Sequence, residues 1–157
     1  MRMTCMLCLA LVPLLVFAGI PNNSDEDAVH SLVDRFMAAW NHHDAHAFAA
    51  VFAEDADFTN VIGEGASGRE NIEKFHAPMF STLFKNSHLE YTTDIKVRFI
   101  RPDIVTVDVR WRMTGATDPA GNPWPNRKGL VSFVATKENG SWHILVLHNM
   151  ELKDGGK

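Results

Sequence analysis

The chain has 157 residues, of which 46% are hydrophobic and 22% charged, and its formal net charge is −4. This length suits one domain, and the mild acidity excludes the basic surface that binds nucleic acid or an anionic membrane.

Residues 1–18 have the pattern of a secretory signal peptide. Arg2 supplies a short positive region, residues 4–17 are almost wholly apolar, and small or aliphatic residues precede a cleavage site after Ala18. The apolar run is shorter than the roughly 20 residues that span a bilayer, which favours cleavage over the alternative, an uncleaved anchor helix. We therefore expect export to the periplasm or the exterior, no membrane association after cleavage, and a linker over residues 19–24.

Both cysteines of the chain, Cys5 and Cys8, lie within this signal peptide. The mature protein would then have no disulfide, no thiol nucleophile and no thiolate metal site. Its stability would depend on the hydrophobic core.

Residues 25–153 are predicted to form one domain that begins with three helices. Ser24 is a suitable N-cap for the first helix, and Asp44 for a shorter second one. The third helix begins near Arg69, and Pro78 predicts a kink or a break in it. Each helix has apolar residues at helical spacing. These stripes are Val29, Leu32, Val33, Phe36, Met37 and Trp40; Ala45, Phe48, Ala49, Val51 and Phe52; and Ile72, Phe75, His76, Met79, Phe80 and Leu83.

The remaining pattern predicts strands. A short strand covers residues 57–61, and four longer strands follow Asn86, all rich in β-branched and aromatic residues. Tight turns at residues 101–103 and 138–141 predict antiparallel hairpins. Helices grouped against an antiparallel sheet make an α+β fold. The longer strands are predicted over Leu89–Ile100, Ile104–Met113, Leu130–Lys137 and Trp142–Leu152.

The last strand is apolar at successive positions over Ile144–Leu147. A sheet with one face in water should alternate instead. Helices cover one face, and a second copy of the chain is the simplest cover for the other. We therefore expect a homodimer through the sheet face.

Residues Phe36–Asp44, Phe52–Phe58 and Gly68–His76, with Gly140–Ile144 and His148-Asn149, occur in a familiar order and spacing. Together they resemble the SnoaL-like branch of the nuclear-transport-factor-two-like superfamily, and most closely the group labelled SgcJ/EcaC oxidoreductase. The resemblance implies a cone-shaped, cystatin-like α+β domain. Three N-terminal helices would pack on a curved antiparallel sheet, with a pocket at one end and frequent homodimers. It implies no particular reaction, because the superfamily includes isomerases, cyclases, dehydratases and proteins without catalysis.

Relatives similar to ketosteroid isomerase use an aspartate base, and a tyrosine and a protonated aspartate as an oxyanion hole. The resemblance aligns these positions with Asn60, Phe36 and, less directly, Ser132. An amide does not accept a proton at neutral pH, and a phenyl ring does not donate a hydrogen bond. The isomerase residues are therefore predicted to be absent.

His76 is the candidate catalytic residue. It lies on the apolar stripe of the third helix, so it should face the interior, where a histidine can shuttle protons near neutral pH. The alternative is a buried histidine with a satisfied hydrogen bond and no chemical role.

Aromatic walls suit an apolar ligand that contains a ring, although each aromatic side chain can equally belong to the core. Asp57 and Asn60 have opposite parity on their strand and so do not share a face. Asn60 is preferred for the pocket because it aligns with the base position of the isomerase. For the same reason, only one of His148 and Asn149 can face the cone. Trp124, in a Pro-flanked loop, is expected to cover the pocket mouth or a dimer neighbour. The predicted pocket residues are Trp40, Asn60, His76, Phe80, Trp111, Trp124 and His148.

Three histidines, His42, His43 and His46, surround Asp44 and suggest a metal site at first sight. A helix cap at Asp44 would break their common face, so exposed loop histidines and no metal are expected. The sequence has no nucleophile elbow, phosphate loop or dinucleotide fingerprint, which predicts no cofactor.

Three functions remain open from the sequence. The first is an exported protein that binds a small apolar or aromatic molecule. The second is a cofactor-free isomerase, cyclase or hydratase with His76 as acid/base and Asn60 as hydrogen-bond donor. A dimerisation module with a filled cone is a third.

Overall fold

The structure, a computed structural model, describes residues 23–153. The predicted signal peptide and all but the last two residues of the predicted linker lie outside the described residues. Within residues 23–153, no helix has the length and apolarity needed to cross a membrane.

In the described part of the chain, three helices lie on one side of the sheet: α1 (Asn23–Asn41), α2 (Ala45–Ala50) and α3 (Arg69–Ser81). Asp44 caps α2 as predicted, because its Oδ1 accepts a hydrogen bond from the Ala47 N–H at 2.9 Å.

Two predictions about where the helices begin and end can be compared with the structure. Ser24 lies inside α1 instead of capping it, since the helix already includes Asn23. Pro78 lies within α3 but does not end it. The carbonyl that loses its helical partner to Pro78 belongs to Lys74, which is exposed, so water can replace the missing N–H.

Seven strands of residues 23–153 form one sheet. Their bounds are β1 Phe52–Thr59, β2 Gly65–Ser67, β3 His88–Tyr91, β4 Lys96–Arg101, β5 Ile104–Thr114, β6 Arg127–Glu138 and β7 Ser141–Glu151. The order across the sheet is β2-β1-β7-β6-β5-β3, and β4 also pairs with β5. The two predicted hairpins, β4–β5 and β6–β7, are antiparallel. Asn139 and Gly140 both have positive φ, which suits the tight turn between β6 and β7.

The predicted sheet was wholly antiparallel, and this is wrong at one pair: β1 runs parallel to β7. These strands are far apart in the chain, so no hairpin turn indicated their relative direction. The predicted strand Leu89–Ile100 is two strands, β3 and β4, because the exposed polar residues 92–94 interrupt it. Phe52, assigned to the second helix, begins β1.

Strand β7 contains a β-bulge that changes which residues face the core. Its pairing with β6 shifts between Val134 and Ala135, which leaves Leu145 as an extra residue. The inward-facing parity therefore reverses along β7, and both Ile144 and Leu147 are buried. The bulge explains part of the unbroken apolar pattern at residues 144–147. The outer face of the sheet still has an apolar strip, formed by the pairs Leu130–Met150 and Val134–Val146, with the polar pair Ser132–His148 between them.

The helices and the inner face of the sheet bury one hydrophobic core. On β5, for example, Val105, Val107, Val109, Trp111 and Met113 alternate inward. The architecture is an α+β cone, three helices packed on a curved mixed sheet, and this confirms the predicted fold class.

Candidate functional site

A cavity of about 210 Å³ lies between the helices and the sheet. Ile62 and Glu64, both exposed, mark where it meets solvent. A cavity of roughly 150 Å³ accommodates benzene, so this one has room for about eight to ten non-hydrogen atoms. Its helix side includes Phe36, Met37, Trp40, Phe48, Phe75, His76 and Met79, and its sheet side includes Phe58, Trp111, Met113, Val131, Leu147 and Asn149.

Five of the seven predicted pocket residues line this cavity: Trp40, Asn60, His76, Trp111 and Trp124. The other two, Phe80 and His148, do not.

Phe80 is buried behind the cavity wall, where its ring lies edge-on to Trp40 with the ring centroids 5.1 Å apart. His148 is exposed on the outer face of the sheet, and Asn149 lines the cavity in its place. The bulge at Leu145 causes this correction, because it reverses the inward parity of β7.

His76 is the most deeply buried polar residue of the cavity wall, with 1% of its surface exposed. Its ring lies between those of Phe48 and Phe58, at centroid distances of 4.3 and 4.6 Å. Nδ1 donates a hydrogen bond to the Ile72 carbonyl oxygen at 2.8 Å. Because a carbonyl only accepts, the hydrogen of the neutral ring is on Nδ1 and the lone pair is on Nε2.

Burial lowers the pKa of His76 from its ordinary value of 6.5 to about 4, although the Ile72 hydrogen bond acts in the opposite direction. His76 is therefore neutral at neutral pH. Within residues 23–153, its Nε2 has no hydrogen-bond partner, so it can accept one from a molecule in the cavity.

Asn149 is a polar cavity residue that the sequence did not assign, since the parity of β7 was ambiguous. The Trp111 indole Nε1 donates to its Oδ1 at 2.8 Å. An indole N–H only donates, so the amide must present its oxygen to Trp111. The Nδ2 group is therefore the part of Asn149 that remains available as a donor.

Arg127 is a second cavity residue that sequence reasoning missed, because β6 was predicted to begin at Leu130. Its side chain is 14% exposed. Nε and Nη2 donate to the two carboxylate oxygens of Glu151 at 2.7 and 3.0 Å, and Cζ lies 5.0 Å from the centre of the Trp124 ring. These hydrogen bonds lower the pKa of Glu151, so the pair is ionic and close to neutral overall.

Asn60 lines the cavity, but its side-chain oxygen is already hydrogen-bonded within the protein. Oδ1 accepts hydrogen bonds from the N–H groups of Ile62 and Glu64, at 3.0 and 2.9 Å, and so holds the turn between β1 and β2. Asp57, its alternative, is exposed and accepts a hydrogen bond from Ser67 Oγ on β2.

The positions aligned with the isomerase residues do not converge in one site. Phe36 and Asn60 line the cavity. Ser132 lies on the outer face, where its Oγ donates to Asp108 at 2.6 Å, and its neighbour Val131 faces inward instead. Among the described residues, no carboxylate is hydrogen-bonded to His76.

The histidines near Asp44 have separate partners. His43 Nε2 is 3.1 Å from the Ser87 carbonyl oxygen, and His46 Nδ1 is 3.0 Å from a Glu73 carboxylate oxygen. His42 is exposed. In the part of the chain that the structure describes, no three His, Cys, Asp or Glu side chains are grouped to hold a metal ion.

The SnoaL-like domain model matches residues 33–143, which is most of the chain and runs from the middle of α1 to the start of β7. The chain belongs to the SnoaL-like domain family. No curated protein sequence matches it.

Solved structures share this fold. A domain of unknown function with a cystatin-like fold from Nostoc punctiforme is 31% identical, with a TM-score of 0.73, and the match covers 85% of this chain and 80% of that one. A nuclear-transport-factor-two-like superfamily protein from Salmonella enterica is 16% identical, with a TM-score of 0.74 and coverage of 85% and 95%. A Novosphingobium aromaticivorans protein described as a candidate scytalone dehydratase is 17% identical, with a TM-score of 0.72 and coverage of 85% and 87%.

Proposed function

We propose that this SnoaL-like protein binds a small, largely apolar organic molecule in the cavity between its helices and its sheet. The observation that carries the proposal is a cavity of about 210 Å³ whose apolar walls contain the open Nε2 of His76. A pocket of apolar walls with few polar groups is the usual form of a small-molecule site. A module that only dimerises would be expected to fill this space with its own side chains.

The state of His76 favours binding over acid–base catalysis. A general acid or base works best when its pKa lies near the working pH. The pKa of His76, about 4, lies well below neutrality, and its Nδ1 is hydrogen-bonded to a backbone carbonyl instead of a carboxylate that would strengthen it as a base.

A cofactor-free isomerase, cyclase or hydratase is the second candidate. The open Nε2 of a neutral His76 favours it, since a free imidazole nitrogen can take a proton from a bound substrate. One fold neighbour is described as a candidate dehydratase. The variant His76→Phe distinguishes the two candidates. In an enzyme it would abolish turnover of a bound substrate, which mass spectrometry can measure. In a binding protein it would change the affinity alone.

We also propose that the protein is exported and acts as a homodimer, and that it belongs to the SgcJ/EcaC-labelled group. The signal-like pattern of residues 1–18 supports export. The outer strip of Leu130, Val134, Val146 and Met150 supports self-association. Intact mass spectrometry of protein purified from its own host tests export: the mature chain should begin at Gly19, and a retained Met1 would contradict this.

Calorimetric titration with acetophenone tests the binding proposal. We expect saturable binding with one site per chain. Met79→Trp, which fills the cavity, should weaken binding at least tenfold, while the control Ile100→Trp adds the same side chain at an exposed position outside the cavity and should not. Absence of binding at millimolar concentrations, or equal affinity for Met79→Trp and wild type, would contradict the proposal.

A further inference from the structure

The cavity contains one hydrogen-bond acceptor on its helix side. His76 Nδ1 is committed to the Ile72 carbonyl, so the neutral ring presents the lone pair of Nε2. The ring contacts of Phe48, Phe58, Phe75 and Phe80 hold it in this orientation. A bound molecule must therefore bring a donor, such as a hydroxyl, to this side.

The sheet side of the cavity presents donors instead. Trp111 occupies Oδ1 of Asn149, which leaves the Nδ2 amide hydrogens. Arg127 uses Nε and Nη2 on Glu151, which leaves Nη1 without a hydrogen bond among the described residues. A bound molecule must bring an acceptor oxygen to this side.

The charges around the donors select a neutral acceptor. Glu151 already neutralises Arg127, and a second carboxylate, Glu64, lines the cavity where it meets solvent. Among the described residues that line the cavity, Arg127 is the one cation and is already paired with Glu151, so an anionic ligand group would gain little attraction there and would be repelled by Glu64. A carbonyl oxygen accepts the same hydrogen bonds without that repulsion.

We propose that the cavity takes a neutral aromatic molecule that carries a hydroxyl group toward His76 and a carbonyl oxygen toward Asn149. This inference rests on the proposed binding function and adds to it the class of ligand. The hydroxyl donates to Nε2 of His76, and the carbonyl oxygen accepts from Nδ2 of Asn149, so that the open groups of these two residues are satisfied together.

A series of five probes of similar size tests the inference by calorimetry. The probes are 4-hydroxyacetophenone, acetophenone, 4-ethylphenol, ethylbenzene and 4-hydroxybenzoate. We expect 4-hydroxyacetophenone to bind about three- to tenfold more tightly than acetophenone or 4-ethylphenol, each of which lacks one group. We expect 4-hydroxybenzoate to bind more weakly than 4-hydroxyacetophenone. Partition from water into an apolar space would give a different order, with ethylbenzene binding most tightly.

Two variants test which side chain is responsible for the preference for the ligand's hydroxyl group and which for its carbonyl group. His76→Phe keeps an aromatic ring and should abolish the advantage of the hydroxyl while preserving that of the carbonyl. Asn149→Asp still accepts from Trp111 but has no donor, and should abolish the advantage of the carbonyl. The control is His148→Asp, which places a carboxylate on the outer face at the position next to Asn149. It should preserve the preference for the hydroxyl and the preference for the carbonyl.

Failure of this inference can be told apart from failure of the proposed function. If all five probes bind with the order set by partition, or if neither variant changes a preference, the ligand class is wrong and cavity binding stands. If none of the probes binds, both are overturned.

Discussion

The Trp111 indole nitrogen and the Asn149 side-chain oxygen are joined by a 2.8 Å hydrogen bond across the inner face of the sheet. The two residues lie on β5 and β7, with β6 between them. Their contact is direct because the residue of β6 that faces Trp111 is Gly129. The same hydrogen bond turns the Asn149 amide so that its N–H groups are left for the cavity.

Gly129→Ala should disrupt this arrangement. A Cβ at position 129 would lie 2.1 Å from Trp111 Cζ2 and 2.3 Å from the Met150 carbonyl oxygen, so the indole ring must move. We expect a loss of about 1–3 kcal/mol in the free energy of unfolding, measured in urea, and a shifted Trp111 indole N–H signal in NMR. The control Gly140→Ala is strained by a φ of +82°, but its Cβ meets nothing within 4 Å, so it should cost stability without shifting that signal. An unshifted Trp111 signal in Gly129→Ala would contradict the packing described.

The pH dependence of stability should reveal the buried state of His76. Its pKa is about 4 in the folded protein and near 6.5 when exposed, so between these values the unfolded chain binds the proton and the folded chain does not. The contribution of neutral His76 to the free energy of unfolding is complete above pH 6.5. It is lost as the pH falls toward 4, by about 3 kcal/mol in all. Urea unfolding from pH 7 to 4 should show a shallower decline for His76→Phe than for wild type. Parallel declines would show that His76 is not buried in its neutral form.

Asp25 should stabilise the contact between α1 and the sheet. Its Oδ1 accepts hydrogen bonds from Lys137 Nζ at 2.5 Å and from the Trp142 indole N–H at 3.2 Å. Asp25→Ala leaves the indole N–H without a partner, and we expect a loss of about 1 kcal/mol in thermal or urea unfolding. The neighbouring control Glu26→Ala removes an exposed carboxylate and should cost less. Equal effects of the two changes would argue against a role for the Asp25 contacts.

The outer face of the sheet should be the dimer contact. Val134 belongs to the apolar strip and is paired with Val146 on one side and Thr106 on the other. A lysine there would be buried at the interface without a partner, so Val134→Lys should convert a dimer into a monomer in light-scattering measurements. Thr92→Lys, in an exposed segment outside the strip, is the control. A wild-type protein that is monomeric at micromolar concentration would overturn the dimer proposal.

Periodicity and turn chemistry were sufficient to predict much of this fold. The three apolar stripes, the Asp44 cap and the Asn139-Gly140 turn are local patterns that specify local structure, so the helices and the β6–β7 hairpin agree with the sequence. The parallel pairing of β1 with β7 depends on contacts between segments far apart in the chain, and no local pattern records it.

The residues of the candidate site were harder to predict from the sequence, for a related reason. A single bulge at Leu145 decides whether His148 or Asn149 faces the cavity, and a run of apolar residues does not reveal where a bulge lies. Arg127 was missed because the strand that carries it begins earlier than its β-branched residues suggest. His76 was found because a histidine on an apolar helical stripe has only one direction in which to point.

The tryptophan indole signals provide the most direct test of cavity binding. Of the four tryptophans in the sequence, Trp40, Trp111 and Trp124 line the cavity, while Trp142 is buried away from it with its N–H on Asp25. On titration with 4-hydroxyacetophenone, followed by ¹H–¹⁵N NMR, the signals of the first three should shift and saturate together while that of Trp142 stays in place. If the three cavity signals do not move at millimolar ligand, or if all four drift alike without saturation, the cavity is not a binding site for a small aromatic molecule of this kind.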